Sequence, residues 1–163
     1  MNEAIFYYLA GIFDGEGTFS IQVNIRARKG IKSVHLNPRM TMSLKDGGKE
    51  VMELLVNTFG GNYYDYKGRE DGMMRWALNK RLEIIKATNL LLPHLIVKKK
   101  IAQRFLEALE MFPENRQAHR LGIRSWTKET VMKVANIAFT LNPYRKSKKT
   151  LDYLKELEKI YQT

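Results

Sequence analysis

The chain has 163 residues, 28 of them Lys or Arg against 17 Asp or Glu, for a net charge of +11. That length fits one compact domain or two tightly fused halves, and that charge points to a polyanionic partner, nucleic acid or an anionic membrane surface. No apolar run approaches the ~18 residues of a membrane span, no signal-peptide layout is present, and the absence of cysteine excludes disulfides, thiolate metal sites and a cysteine nucleophile.

His35, His94 and His119 are scattered without zinc-ligand spacing, so a zinc or Ser-His-Asp hydrolase is not indicated. Any hydrolytic chemistry rests on carboxylates and a hard metal. The chain reads as intracellular, in cytoplasm or an organelle, with the compartment open.

In chain order, Asn2 to Asp14 is a predicted helix, with Asn2 as N-cap, Glu3 in the first turn, and Gly15 and Gly17 as stops. Ile5, Phe6, Leu9, Ile12 and Phe13 cannot share one stripe. A short helix apolar on several faces packs against its own domain and against something else. Thr18 to Arg28 then alternates as a half-buried strand, with Phe19, Ile21, Val23 and Ile25 inward. Ser33 to Lys45 repeats the pattern with Val34, Leu36, Met40, Met42 and Leu44 inward, and Pro38 predicts a bulge or an edge.

A turn at Asp46-Gly47-Gly48 leads to a helix over Lys49 to Phe59, closed by Gly60-Gly61. Strands over Asn62 to Lys67 and Met73 to Asn79 flank a polar turn. Helices cover Lys80 to Leu92 and Val97 to Met111, on either side of Pro93, then Lys128 to Leu141 and Leu151 to Tyr161 around a basic linker, 143–149. This α-β-β-α-β-β-α order is an α+β layout, helices on one face of an antiparallel sheet. It predicts one domain over 1–163: a core over 1–111 and a C-terminal helical region over 112–163. No internal repeat occurs.

The outward face of the first two strands carries the strongest binding signal. Between Thr18 and Lys45 there are six Lys or Arg and no acid. Thr18, Ser20, Gln22, Asn24, Arg26 and Arg28 face outward from the first strand; Ser33, His35, Arg39, Thr41, Ser43 and Lys45 do so from the second. Membrane binding would want exposed apolar residues among the charges. This face instead offers donors and acceptors for base edges and charge for phosphates, and a two-stranded ribbon fits the major groove. A merely solvated face is the plain alternative, but it rarely excludes acids over such a length.

The second signal is Leu9-Ala10-Gly11-Ile12-Phe13-Asp14-Gly15-Glu16-Gly17. Asp-Gly-Glu-Gly alone reads as a helix stop and turn, and an EF-hand is excluded because its sixth loop position would be Phe19. Gly11 and Gly15, four apart, form a face where a second backbone can come close. Glu16 lies just past the helix at the border of the basic sheet, where an acid near phosphates calls for a divalent cation.

The nonapeptide resembles the LAGLIDADG motif of homing endonucleases. Leu9, Ala10, Gly11, Asp14 and Gly17 match that consensus, and Glu16 keeps an acid where the consensus has Asp. The element order, the segment Pro93 to Lys100, and Leu141-Asn142 with its basic linker are similar to that family as well, so most of the chain is covered. The resemblance implies a site-specific, Mg²⁺-dependent double-stranded DNA endonuclease of intron-homing type that leaves 3′ overhangs. Ca²⁺ or Mn²⁺ would occupy the same site in vitro, and no small-molecule cofactor or membrane partner is implied. One motif per chain implies a homodimer through Tyr7, Tyr8, Ala10, Gly11 and Asp14.

Within that resemblance Glu16 is the metal ligand, with the Gly15 carbonyl as a second, while Asp14 caps and orients the turn. Asp46, or alternatively Lys45, orients the attacking water, and Lys98 and Lys49 supply charge at the scissile phosphate. Lys67, Arg69 and Arg75, with outward members of Tyr63, Tyr64 and Tyr66, extend the DNA surface, as do Arg145, Lys146, Lys148 and Lys149 in the linker. Arg116 to Arg124 with His119 stays open between solvated loop and phosphate contact; Trp76 and Trp126 are core. A strand of about 8 residues spans roughly 26 Å, or about 8 base pairs, so two half-sites imply a near-palindromic target of roughly 16 to 20 base pairs. The alternative is a non-cleaving binder of this fold, an RNA maturase or transcription regulator; retention of Glu16 favours the nuclease.

Overall fold

A computed structural model describes residues 3–28, 31–45, 48–65, 72–113, 127–141 and 148–160, with side chains at all of these except 27–28, 31–33, 148–151 and 153. Among the described residues there are six helices and four strands: α1 (Glu3–Glu16), β1 (Gly17–Arg28), β2 (Ile31–Leu44), α2 (Lys49–Phe59), β3 (Asn62–Asp65), β4 (Met74–Leu78), α3 (Arg81–Leu91), α4 (Lys99–Glu110), α5 (Lys128–Thr140) and α6 (Lys148–Ile160). The strands form one sheet in the order β1-β2-β4-β3, antiparallel where Met40 faces Leu78 and where Tyr63 faces Trp76. The α+β layout expected from the sequence is the one observed.

Two compact units divide the residues, 1–20 with 38–103 and 21–37 with 104–163. The division passes through α4, and the end of β1 and the start of β2 fall in the same unit as the C-terminal helices. In the first unit, Met40, Met42, Trp76 and Leu78 point from the sheet into a core completed by Leu9 and Phe13 of α1, Met52 and Leu55 of α2, and Ile84 and Leu91 of α3. Within that unit α1 packs on α3, and α2 packs on β3, β4 and α3. In the second unit, Val34 and Leu36 are buried, as are Phe105, Leu109, Val131, Val134 and Leu157; α5 packs on α6.

Local chemistry explains the element ends. Met52, Leu55 and Phe59 fall on one buried face of α2, at the spacing of an amphipathic helix. Gly60 ends it at a φ of 81°, its N–H donating to the Val56 carbonyl at 2.8 Å. Gly61 follows at a φ of 83°, where any Cβ would stand 2.5 Å from the Ala77 carbonyl oxygen. The buried Trp76 indole N–H donates to the Gly60 carbonyl at 2.9 Å, so the glycine turn and β4 fix each other. Thr127 caps α5, its side chain accepting from the Thr130 N–H at 3.2 Å.

Pro38 is where the strand expectation needs refinement. β2 is interior in the strand order, yet its register with β4 begins at Met40, two residues beyond the proline. Pro38 therefore lies where β4 does not reach, and its missing N–H costs that pairing nothing. Helix α1 differs more. It continues through Gly15 to Glu16 instead of ending at Asp14, because its last carbonyls have partners from a segment more than 80 residues away.

Candidate functional site

Those partners define the site. Lys98 immediately precedes α4, and the Ala102 N–H donates to its carbonyl at 2.8 Å. The Lys98 ammonium donates to three successive carbonyls at the end of α1: Phe13 at 3.0 Å, Gly15 at 3.1 Å, and Asp14 between them. The last four carbonyls of a helix have no partner inside it, so one lysine satisfies three of them and opposes the negative end of the helix dipole. In return the Asp14 carboxylate accepts from the backbone N–H groups of Ile96 at 2.7 Å, Val97 at 3.1 Å and Lys98 at 2.8 Å.

The electrostatics follow this geometry. Partial burial opposes ionisation of Asp14, but the three N–H bonds and the Lys98 charge outweigh it and hold its pKa below the ordinary 3.8. Burial lowers the Lys98 pKa below its ordinary value, against the attraction of Asp14 and Glu16. Glu16 closes α1 with its side chain exposed, close enough to Lys98 for its charge to be felt there. Glu16 therefore sits in the last helical residue, rather than past the helix as its sequence neighbours suggested.

This arrangement supplies hard oxygen donors, the Glu16 carboxylate and the Gly15 carbonyl, suited in kind to Mg²⁺. Among the described residues no group of three His, Asp or Glu side chains comes together as a metal site. These two donors are fewer than the six or more oxygen ligands a hard divalent cation takes.

The motif helix sorts its residues sharply. Leu9, Ala10 and Phe13 are completely buried. Ala10 thus lies on the core side, unavailable to a second chain, and the Asp14 carboxylate is taken up by its own α3–α4 junction; these two expected interface positions face inward. Gly11 and Gly15 are exposed, and a Cβ built on either meets nothing within 4 Å. Tyr7 and Tyr8, 60% and 53% exposed, flank the same open side. His94 packs on Tyr7, ring centroids 4.3 Å apart, and stacks on Phe6 at 6.3 Å, seating the junction against α1. Gly17 is the opposite of Gly11: its Cβ would stand 2.3 Å from the Phe13 ring.

On the sheet, Thr18, Gln22 and Arg26 are exposed and Ser20 and Asn24 half-buried along β1, while Phe19 and Ile21 are buried, as the alternation predicts, and Val23 and Ile25 are only half-buried. Along β2, His35, Arg39 and Ser43 are half-buried, and Lys45, just beyond the strand, is exposed. Ser43 is in register with Arg75, and Arg75 with Tyr64, so a polar row crosses three strands. Thr41 is the exception, only 6% exposed beside the small, buried Ala77. Arg39 holds a neighbour that sequence alone did not single out: its Nε donates to the Asn79 side-chain carbonyl at 2.8 Å. The signal available was only that Asn79 ends the strand expected over Met73 to Asn79, one residue beyond the observed β4.

Lys49 begins α2 and lies 3.7 Å from Glu53 in an exposed ion pair. Tyr63 is half-buried on β3. The side chains of Arg28, Ser33, Lys148 and Lys149 lie outside the described residues, as do Asp46, Tyr66, Lys67, Arg69, Arg116 to Arg124 with His119, Trp126, Arg145 and Lys146. No helix among the described residues is long and apolar enough to cross a membrane.

This element order and four-stranded sheet, with the motif helix leading into β1, is the fold of homing endonucleases. The chain is similar to I-CvuI, solved in complex with the I-CreI target in the presence of Mg, with a TM-score of 0.72 and 20% identity over 96% of each chain. It is similar to the archaeal intron-encoded homing endonuclease I-Vdi141I complexed with DNA, at 0.72 and 20% over 97% of each chain. For the homing endonuclease I-TnaI the values are 0.68 and 22% over 98% of each. At such identities the likeness speaks for the fold. No curated protein matches the chain in sequence. The family itself is shown by the LAGLIDADG endonuclease model, which matches residues 9–111, and the chain belongs to that family.

Proposed function

We propose that this chain is a homodimeric, Mg²⁺-dependent endonuclease that cleaves double-stranded DNA at a long, near-palindromic site and leaves 3′ overhangs, working as one endonuclease domain per subunit. The observation that carries the proposal is the end of α1: an exposed Glu16 beside the Lys98 ammonium, at the start of β1, with no acid in the sequence from Thr18 to Lys45. DNA as the partner draws support from I-CvuI and I-Vdi141I, both solved on DNA. The open Gly11 and Gly15 face supports a second copy.

In this reading Glu16 and the Gly15 carbonyl hold Mg²⁺, which when bound supplies a water of lowered pKa and charge to stabilise the phosphate and departing oxygen. Lys98 contributes fixed positive charge at the same end of the helix. Asp46, or alternatively Lys45, orients the attacking water, and Lys49 adds charge nearby. Thr18, Ser20, Gln22, Asn24, Arg26, Arg39, Ser43 and Arg75 read bases or position the backbone, the linker lysines and Arg145 bind phosphates, and Thr41 supports the sheet from beneath them.

The test is a cleavage selection on a randomised duplex library with Mg²⁺, followed by Glu16→Gln on the recovered target. The variant is expected to bind the duplex and leave it intact; cutting at the wild-type rate would remove Glu16 from the chemistry. A non-cleaving regulator would enrich sequences by binding alone and yield no cut duplex.

A further inference from the structure

We infer that Asp14 is a positioning residue for the site: through the backbone of residues 96–98 it fixes where the Lys98 ammonium stands, and through that ammonium the direction of the Gly15 carbonyl. The inference rests on the reading of Glu16 and Gly15 as the metal-holding pair. Its basis is a closed loop of interactions. The side chain of Asp14 holds the backbone N–H of Lys98 at 2.8 Å, and the side chain of Lys98 holds the backbone carbonyl of Asp14. Each residue caps the helix end to which the other belongs, across 84 positions of sequence.

The stoichiometry gives the loop its force. A lysine ammonium has three donors and no acceptor, and here Phe13, Asp14 and Gly15 take all three. While it stays in place, Lys98 has no N–H left for a phosphate, so it serves the site by charge at a fixed point. Both Asp14 oxygens are engaged as well: Oδ2 by Ile96 and Val97, Oδ1 by Lys98. The ends of α1 and α4 can therefore shift relative to each other only by breaking charge-assisted hydrogen bonds, the stronger kind. Gly15 needs this restraint most. A Cβ there would meet nothing within 4 Å, so no side chain crowds that position, and its carbonyl oxygen is held by the ammonium.

A plain helix cap would stabilise the fold and do no more, and three measurements separate the two roles. The first needs no activity. With nitrogen-15-labelled lysine, the Lys98 ammonium of the full chain should give a resolved, slowly exchanging signal, because all its protons are bonded. In Asp14→Asn, which cannot accept three N–H bonds, that signal should merge with those of the other lysines. Should Asp14→Asn not fold, Asp14→Glu keeps the charge but misplaces it, and should displace the same resonance. A Lys98 signal that does not move in a folded variant overturns the inference.

The second measurement is single-turnover cleavage of the selected duplex at saturating enzyme. Asp14→Asn is expected to lower the rate roughly 10-fold or more while duplex affinity stays within about threefold. A loss confined to affinity or to Tm, at an unchanged rate, assigns Asp14 a structural role only and also overturns it.

The third is the double variant with Lys98→Met. If Asp14 acts through Lys98, adding Asp14→Asn to Lys98→Met should cost little further rate, as expected of residues acting as one unit; independent, multiplying losses contradict the inference. Failure of the endonuclease reading is a distinct result: a wild-type chain that cuts nothing, or Glu16→Gln that cuts normally, with the Lys98 signal still answering for Asp14.

Discussion

Enlarging Gly11 separates what α1 does within one chain from what it does between chains. A Cβ at Gly11 meets nothing within 4 Å, and the residue is exposed. In an isolated chain Gly11→Ala should therefore stabilise α1 by about 0.5 to 1 kcal/mol, the usual gain over glycine inside a helix. Gly11→Leu should still fold, since its side chain enters open space. In a homodimer built on this face the same leucine meets the partner's backbone. Overpacking costs about 1 to 3 kcal/mol per site, and two-fold symmetry places it twice. The dimer should weaken by about 2 to 6 kcal/mol, a rise of roughly 30-fold to 10⁴-fold in the dissociation constant at 1.4 kcal/mol per tenfold. Sedimentation or mass photometry reads the assembly, circular dichroism the fold, and the selected duplex the activity. Gly11→Leu that remains dimeric at wild-type affinity and cuts normally would refute the reasoning. So would an unfolded variant, which would mean the position is not open.

The neighbouring glycine should behave in the opposite way. Gly17→Ala drives a methyl group to 2.3 Å from the completely buried Phe13 ring, itself packed on Phe19 with centroids 4.8 Å apart. A loss of about 1 to 3 kcal/mol, or roughly 2 to 12 °C in Tm, is expected in a thermal melt, and an unchanged Tm would mean the ring yields freely.

Asp14 sets a pH dependence. Its pKa is lower folded than unfolded, so the folded chain binds fewer protons through that range and the stabilisation is complete above the ordinary carboxylate pKa. It is lost as pH falls through the folded value. Urea unfolding should show wild type more stable than Asp14→Asn by about 1 to 2 kcal/mol near neutral pH, the worth of hydrogen bonds to a charged group after solvent screening. That gap should close as pH falls below the ordinary carboxylate range, and a gap independent of pH would mean the charge on Asp14 is not what holds the junction.

The fold was legible where local periodicity and burial agree. The alternation of Phe19 and Ile21 with Ser20 and Gln22 reappears as buried and open sides of β1, and Met52, Leu55 and Phe59 mark the buried face of α2. Legibility failed where a distant partner overrode a local signal. Two glycines predict the end of α1 at Asp14, but Lys98 holds the carbonyls of that last turn and carries the helix to Glu16. Ala10 shows the same limit. A small residue next to Gly11 suggests a face for close approach, yet one step along a helix rotates the side chain by about 100°, enough to turn Ala10 into the core. Thr41 alternates correctly and is still buried, because exposure depends on what stands on β4 beside it.

These corrections bear on how the two acids of the motif divide their work. Composition treats Asp14 and Glu16 alike, two carboxylates separated by a glycine at the edge of a basic sheet. Two residues along a helix lie about 200° apart, so a carboxylate at one position faces the junction and at the other faces outward. The inward acid accepts from three backbone N–H groups, with both of its oxygens engaged, and has its pKa held down. The outward acid ends the helix exposed and keeps its lone pairs for whatever approaches. The carbonyl of the glycine between them accepts from the Lys98 ammonium at 3.1 Å, which fixes its direction. Exchanging the two roles would require turning the helix by half a revolution, which the buried Leu9, Ala10 and Phe13 forbid. The helical rotation that seals the core therefore also decides which acid is free to act.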